Sequence, residues 1–233
     1  MTTLLTINGA TRRFGGLTAV DSVSTTVAKG ELVGVIGPNG AGKTTLFNLI
    51  SGFTPLSAGE VHFKGRRIDG QKPFRIARLG IGRTFQNLRI FPNMSVFDNV
   101  SVGAAGMLGV NAAGAVFGGK ARSEAISRRA WAALEQVGLQ SLAGELAMEP
   151  ELIILDEPAA GLNDTETREL AAFIKRLHGE GMTVLLVEHD MGLVMGICER
   201  VVVLATGRKI ADAAPEVVRK DPAVLEAYLG VEE

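Results

Sequence analysis

The nine residues 37–45, GPNGAGKTT, constrain this chain more than any other feature. They fit G-x-x-x-x-G-K-[ST] directly after a strand-like run at residues 31–36. That pattern in that position predicts a phosphate-binding loop between a strand and a helix. Gly37, Gly40 and Gly42 let the backbone turn its N–H groups inward around phosphate oxygens, with Pro38, Asn39 and Ala41 completing the cradle. Lys43 supplies a point charge for the β and γ oxygens, and Thr44, followed by Thr45, offers a hydroxyl to Mg²⁺. The helix that starts here points its positive end at the anion, and Leu46, Phe47, Leu49 and Ile50 give it a face to bury.

A length of 233 residues with 46% hydrophobic and 21% charged residues supports one good-sized core and a smaller satellite region. With 24 basic and 25 acidic residues, the formal net charge of −1 argues against a general nucleic-acid binder held by phosphate contacts. The single cysteine, Cys198, excludes an internal disulfide and a cysteine metal cluster and fits a reducing compartment. Residues 1–9 have neither the basic start nor the apolar run of a signal peptide. Residues 99–119 carry no charge over 21 positions, near the length of a membrane span. Six of them are glycine, and Asn99, Ser101 and Asn111 are polar, so a small-residue helix and loop is expected instead.

Along the chain, short strands are predicted at residues 4–10, 22–27, 31–36 and 59–63, with a turn at Phe14-Gly15-Gly16 and another at Lys29-Gly30. A short helix over 73–78 precedes a strand over 80–86. From 95 to about 147 the spacing turns helical, with Ala125, Ile126, Ala130, Ala133, Leu134 and Val137 on one face. The final third alternates strand 152–155, helix 165–177, strand 183–187, helix 191–197 and strand 200–204. Alternation with apolar strands predicts an α/β fold, a parallel sheet wrapped by helices. The chain divides into a core of residues 1–94 and 150–233 and a helical lobe of 95–149.

Leu152, Ile153, Ile154 and Leu155 lead into Asp156-Glu157-Pro158, placing two carboxylates at the end of a buried strand, where ligands bind in such sheets. Asp156 is suited to orient Mg²⁺ with Thr44, usually through water, and Glu157 to polarise a water in line with the γ-phosphate. Phe14, 29 residues before Lys43, offers a flat face for adenine, against the plainer reading of a turn residue covering the first sheet.

These motifs, with Gln86 after an IGRTF strand, Gly161-Leu162-Asn163 after Glu157, and His189 after a VLLVE strand, resemble in order and type the ATP-binding subunits of ABC transporters. The resemblance implies a P-loop NTPase core of ABC type with an antiparallel β region and a helical subdomain. It implies that Gln86 contacts Mg²⁺ or the attacking water and senses a membrane partner, and that His189 holds the γ-phosphate. It also implies that Phe14 occupies the adenine-stacking position and that the loop 160–164 crosses to a second subunit. By themselves Gln86 reads as a solvated loop residue and His189 as a cap for the next helix. The segments GFTPLSAGEVHFKG, GIGRTFQNLRIFPNMSVFDNV, DEPAAGLN and DPAVLEAYLG are similar to the larger ATP-binding subunit of branched-chain amino acid importers. That likeness implies ATP and Mg²⁺ as ligands and two transmembrane permease subunits, with Phe85 and Phe91 near the transporter. It further implies a second ATP-binding subunit, an indirect periplasmic solute-binding protein, and a peripheral place on the cytoplasmic face of the membrane. Nucleic acid is not expected as a partner.

The chain departs from that family at one point. A signature such as LSGGQ or LSYGQQ opens a helix that ends before the LIILDE strand in relatives, and no such run is present. Between the helix ending near Gly138 and Leu152 lies LQSLAGELAMEPE, thirteen residues. The join reads as a deletion of about twenty residues, including a helix of three to four turns. Half of each composite nucleotide site is then absent from this chain, so a homodimer is expected to hydrolyse weakly while a partner's intact signature completes this chain's own site. Loss of the helix is also expected to expose apolar surface beside Leu152, to loosen Trp131, Leu134 and Leu139, and to lower the melting temperature relative to a full-length relative. The sequence therefore leaves three readings: an energy-coupling ATPase subunit, a nucleotide-binding docking module without turnover, and a soluble ABC ATPase acting on nucleic acid or ribosomes. The near-neutral charge and the Gln86 loop weigh against the third.

Overall fold

The computed structural model describes residues 2–83, 101, 120–136 and 150–229. Two compact units are present, one of Met1–Gln86 with Pro150–Glu233 and one of Asn87–Glu149. In the second unit the described structure is essentially one helix, α3, Lys120–Gln136, on which Trp131 is half exposed. It carries Ala125, Ile126 and Ala130 of the expected face, with Ala130 buried, while the side chains of Ala133 and Leu134, and Val137, lie outside the described residues. The rest of the 95–149 segment, including Leu134's side chain, Leu139 and the join up to Glu149, lies outside the described residues apart from Ser101.

The first unit opens with two long strands, β1 (Thr3–Phe14) and β2 (Leu17–Ala28), joined at Gly15-Gly16. Both outrun their expected bounds, because register shifts let each strand bend and continue. With β4 (Ala58–Phe63) and β5 (Arg66–Arg67) they form an antiparallel sheet in the order β2-β1-β4-β5. The second sheet has six strands: β3 (Leu32–Ile36), β6 (Ile81–Arg83), β7 (Leu152–Asp156), β8 (Thr183–Val187), β9 (Arg200–Ala205) and β10 (Arg208–Ala213). Its order is β10-β9-β3-β8-β7-β6, with only the β10–β9 pair antiparallel.

Both faces of the parallel sheet are covered, as the unbroken apolar strands require. Successive residues of a strand point to opposite faces. Val33 and Val35 of β3, Leu185 and Val187 of β8, and Val202 and Leu204 of β9 face one core. That core also takes Leu5, Ile7, Val61 and Phe63 from the antiparallel sheet and Phe47 from α1 (Lys43–Ile50). Leu32, Ile36, Val184, Leu186, Val201 and Val203 face the other core. There they meet Ile174 of α4 (Asp164–Gly179) and Val194 of α5 (Met191–Ile197). Gly34 makes this second layer possible, since a Cβ there would lie 2.6 Å from Val194 Cγ1 and 3.0 Å from Cys198 Sγ.

Helix α2 (Pro73–Arg78) has proline at its first turn, where no N–H is needed. Helix α4 starts with a capping box: Asn163 Oδ1 accepts from the Thr165 and Glu166 amides, and Glu166 Oε2 accepts from the Asn163 amide. The chain closes with α6 (Pro215–Val218) and α7 (Pro222–Leu229), which together with β5 and β10 were not anticipated as elements. Leu152 pairs in register with Ile81 and is itself fully buried; the join before Pro150, where apolar surface was expected to open, lies outside the described residues. Among the described residues no helix is long and apolar enough to cross a membrane; residues 99–119 lie outside them apart from Ser101.

Candidate active site

Strands β3, β6, β7 and β8 run in the same direction, so the segments that follow them collect at one edge of the sheet. The loop after β3 is the nucleotide cradle. Gly37 has φ +152°, and a Cβ there would stand 2.1 Å from the Leu204 carbonyl oxygen; Gly42 has φ +98°, with a Cβ 2.4 Å from the Ala19 oxygen. Neither position admits another residue without moving backbone. Gly42 precedes α1 in the left-handed conformation and brings no side chain to cap it, which leaves the first amides of the helix directed at the cradle.

Lys43 is only 7% exposed. Its Nζ donates to the carbonyls of Gly37 at 2.6 Å and Pro38 at 3.1 Å, so the loop's own oxygens hold the ammonium inside the cradle. Burial pushes its pKa below the ordinary lysine value, and Glu157 and Asp156 push back, which places both carboxylates within electrostatic reach. Thr44 is exposed, Thr45 half-buried, Ala41 buried, and Asn39 and Gly40 exposed.

At the end of β7, Asp156 is buried and ion-paired. Arg83, at the end of β6, donates from Nη2 to Asp156 Oδ2 at 2.8 Å and from Nη1 to Asn48 Oδ1 and Ser51 Oγ, both at 2.8 Å. One guanidinium thus connects two strands to the last turn of α1. Glu157 follows with φ +49°, a conformation that strains a residue with a Cβ, and its amide bonds the Val187 carbonyl at 3.0 Å. Glu188, next after β8, is fully buried and accepts from the amides of Ala159 and His189. The His189 ring is exposed, with Nδ1 3.8 Å from Glu188 Oε2.

Phe14 lies at the tip of the β1–β2 hairpin, 47% exposed, with the Arg12 guanidinium 4.4 Å from its ring centre. Gln86, Phe85 and Phe91 lie outside the described residues. The structure therefore brings the 37–45 loop, Asp156 and Glu157 together and sets His189 on the adjacent strand end. Arg83 and Glu188 were missed by sequence reasoning, although each had a signal: a charged residue at the boundary of an apolar strand, IGR and VLLVE, is costly to bury without a purpose.

The residues present suit a magnesium nucleotide. The cradle is closed to side chains at Gly37 and Gly42, carries a buried ammonium, and faces two carboxylates. Comparison with known proteins agrees on the nucleotide. A model of the family described as ABC transporter matches residues 20–160, and one described as branched-chain amino acid ATP-binding cassette transporter matches residues 208–233. The chain is 41% identical to the high-affinity branched-chain amino acid transport ATP-binding protein LivG of Salmonella typhimurium, over 97% of this chain and 98% of that one. It is 42% identical to BraF of Pseudomonas aeruginosa, described in the same terms, over 97% and 98%. The alignment with LivG runs over 255 positions, more than the 233 residues of this chain, so that relative carries residues this chain lacks. Among solved structures, a nucleotide-free ATP-binding cassette from an ABC transporter superposes with TM-score 0.83 at 30% identity, covering 97% of this chain and 99% of that one. A second cassette, in its ADP conformation, gives 0.83 at 28%, covering 99% and 100%. The antiparallel and parallel sheets around a phosphate loop, the family match and the near-complete overlap with these relatives establish that the chain belongs to the ABC transporter family, as an ATP-binding cassette.

Proposed function

We propose that this cassette binds MgATP through Phe14, residues 37–45 and Asp156, hydrolyses it with Glu157 as the residue that polarises water, and thereby drives import of branched-chain or related amino acids. The observation that carries the reading is Lys43, a buried ammonium at the mouth of α1, enclosed by a loop that excludes side chains and facing Asp156 and Glu157. Lys43 has its hydrogen bonds to Gly37 and Pro38 to exchange for phosphate oxygens. Asp156 is held by Arg83 and, with Thr44 and Gln86, completes the set that would hold Mg²⁺. The ion supplies charge neutralisation at the β- and γ-phosphates when bound. Glu157, fixed by its strained backbone, holds a water for in-line attack, and His189 contacts the γ-phosphate.

The names of LivG and BraF support the amino acid importer assignment and disfavour a docking module without turnover. Two permease subunits, a second ATP-binding subunit and an indirect solute-binding protein complete the machine in this reading, with the cassette on the cytoplasmic face. The short 139–151 interval fits a mixed pair of cassettes, in which the partner's signature faces this chain's nucleotide. The test is MgATP turnover by the purified chain, alone and with its paired cassette and membrane subunits. Replacing Glu157 by Gln is expected to lower turnover by at least about 100-fold while ATP still binds. Absence of any Glu157-dependent turnover in both settings would overturn the proposal.

A further inference from the structure

Two carboxylates and one lysine ammonium are buried among the described residues of the first unit: Asp156, Glu188 and Lys43. Lys43 is enclosed by the phosphate loop and Asp156 is paired with Arg83. Glu188 is 0% exposed, the most deeply buried of the three, and the proposed chemistry assigns it nothing. A buried carboxylate is costly unless its oxygens are satisfied. Here they are satisfied by two different loops. Oε1 accepts from the Ala159 amide at 2.7 Å, in the loop after Glu157, and Oε2 accepts from the His189 amide at 3.2 Å, with the His189 ring nitrogen 3.8 Å away.

The strand ladder brings these loops side by side. Asp156 pairs with Val187, and the Glu157 amide still reaches the Val187 carbonyl. Beyond that point the sheet ends, and Glu188 carries the connection one step further through its side chain. A carboxylate accepts at both oxygens, whereas an amide of the same size accepts at one and donates at the other. The two N–H groups use one oxygen each, so this site needs a side chain with two acceptor atoms.

We propose that Glu188 is a positioning residue that ties His189 to the 158–163 loop, so that displacement of His189 by a γ-phosphate is passed to the loop that approaches the second cassette. This rests on the proposed role of His189 in MgATP turnover. The capping box at Asn163 fixes the far end of the same loop to α4, which leaves Ala159 as the end that moves with Glu188.

Amide hydrogen exchange of the intact chain, with and without MgATP, tests this alongside turnover in the transporter assembly. In the wild type, MgATP is expected to slow exchange in peptides covering both 158–163 and 188–191. In Glu188→Gln, slowing at 188–191 persists while the 158–163 peptide exchanges about 10-fold faster than in the wild type. Turnover falls about 10-fold at unchanged ATP affinity, and Glu188→Gln adds less than about twofold when His189→Ala is already present. Unchanged exchange and turnover in Glu188→Gln overturn the proposal, as do independent, multiplying effects of the two substitutions. A general rise in exchange with a lowered melting temperature assigns Glu188 to stability alone and also overturns it. If Glu188→Gln does not fold, Glu188→Thr is held to the same criteria, and failure of both to fold rejects the positioning role. A wild type without ATP-dependent slowing or Glu157-dependent turnover rejects the function proposed above together with this one; a responsive wild type with an indifferent Glu188→Gln rejects this one alone.

Discussion

Arg83 and Asp156 form an ion pair in which the guanidinium is 6% exposed and the carboxylate 11%, with 2.8 Å between Nη2 and Oδ2. Removing one partner of such a pair leaves the other charge buried and unmatched, which costs about 3–5 kcal/mol. Arg83→Ala is therefore expected to lower stability by about 3 kcal/mol or more in urea titration. Arg83→Lys should recover only part, because a single ammonium cannot serve Asp156, Asn48 and Ser51 in the planar arrangement the guanidinium provides. Full recovery with lysine would show that charge alone is needed at this position.

Lys43 gives a stability effect of opposite sign. Its folded pKa lies below the usual value, mainly from burial, so below that folded pKa the charged form penalises the folded state. The penalty disappears as pH rises through the window between the folded value and 10.5. Lys43→Met is expected to raise the melting temperature of the nucleotide-free chain, to flatten this alkaline rise in stability, and to abolish the increase in melting temperature that ATP gives the wild type. Each kcal/mol corresponds to about 2–4 °C for a chain of this size. A variant that melts lower than the wild type at neutral pH would contradict the burial argument.

Glu157 tests whether strain is stored where chemistry is expected. At φ +49° a Cβ is disfavoured, and glycine is free of that cost. Glu157→Gly is expected to be more stable than Glu157→Ala by about 1 kcal/mol, and neither should turn over ATP. Equal stability of the two variants in chemical denaturation would mean that the loop relaxes out of the left-handed region once the carboxylate is gone.

Asp212 predicts the acid limit. Burial raises its pKa, but hydrogen bonds from Lys209 and Arg200 outweigh that and hold it below 3.8. A depressed carboxylate contributes stability at pH above its unfolded value and loses it as pH falls through its folded value. Arg200 also bonds Glu31 and the Thr26 carbonyl, so this clasp joins β10, the start of β3 and β2. Asp212→Asn is expected to lower stability at neutral pH and to flatten its decline below about pH 4, followed by circular dichroism. An unchanged acid profile would place the acid-sensitive group elsewhere.

The sequence made the parallel sheet legible because its strands are short apolar runs with both faces buried, and the phosphate loop because glycine spacing and lysine are tied to one backbone path. Helix α2 was readable from Pro73 to its last residue, since proline marks the start. β10 was not, because its residues are neither fully buried nor alternating; they pair with β9 by backbone and are fixed by Arg200 and Lys209. The long β1–β2 hairpin exceeded its apolar segments because polar residues near its tip are held by strand pairing and by contacts distant in sequence, Arg12 to the Pro55 carbonyl and the Arg13 amide to Ser57 Oγ. At the site, Asp156 and Glu157 could be named from the end of an apolar strand. Their environment could not: Arg83 reaches Asp156 across a strand pair formed by segments about seventy residues apart. Glu188 escaped for a related reason, since only the sheet order shows that β8 ends beside β7.

The near-contacts at Gly37 and Gly42 have a consequence for the ownership of the cradle. The atoms that forbid a side chain there are the carbonyl of Leu204, from the far end of the chain, and that of Ala19, from the hairpin near its start. The nine residues are consequently moulded from outside by two distant stretches of main chain, and little ordering remains to be done when a ligand arrives. Transplanted into another strand-helix junction, the same nine residues would keep their spelling and lose their mould.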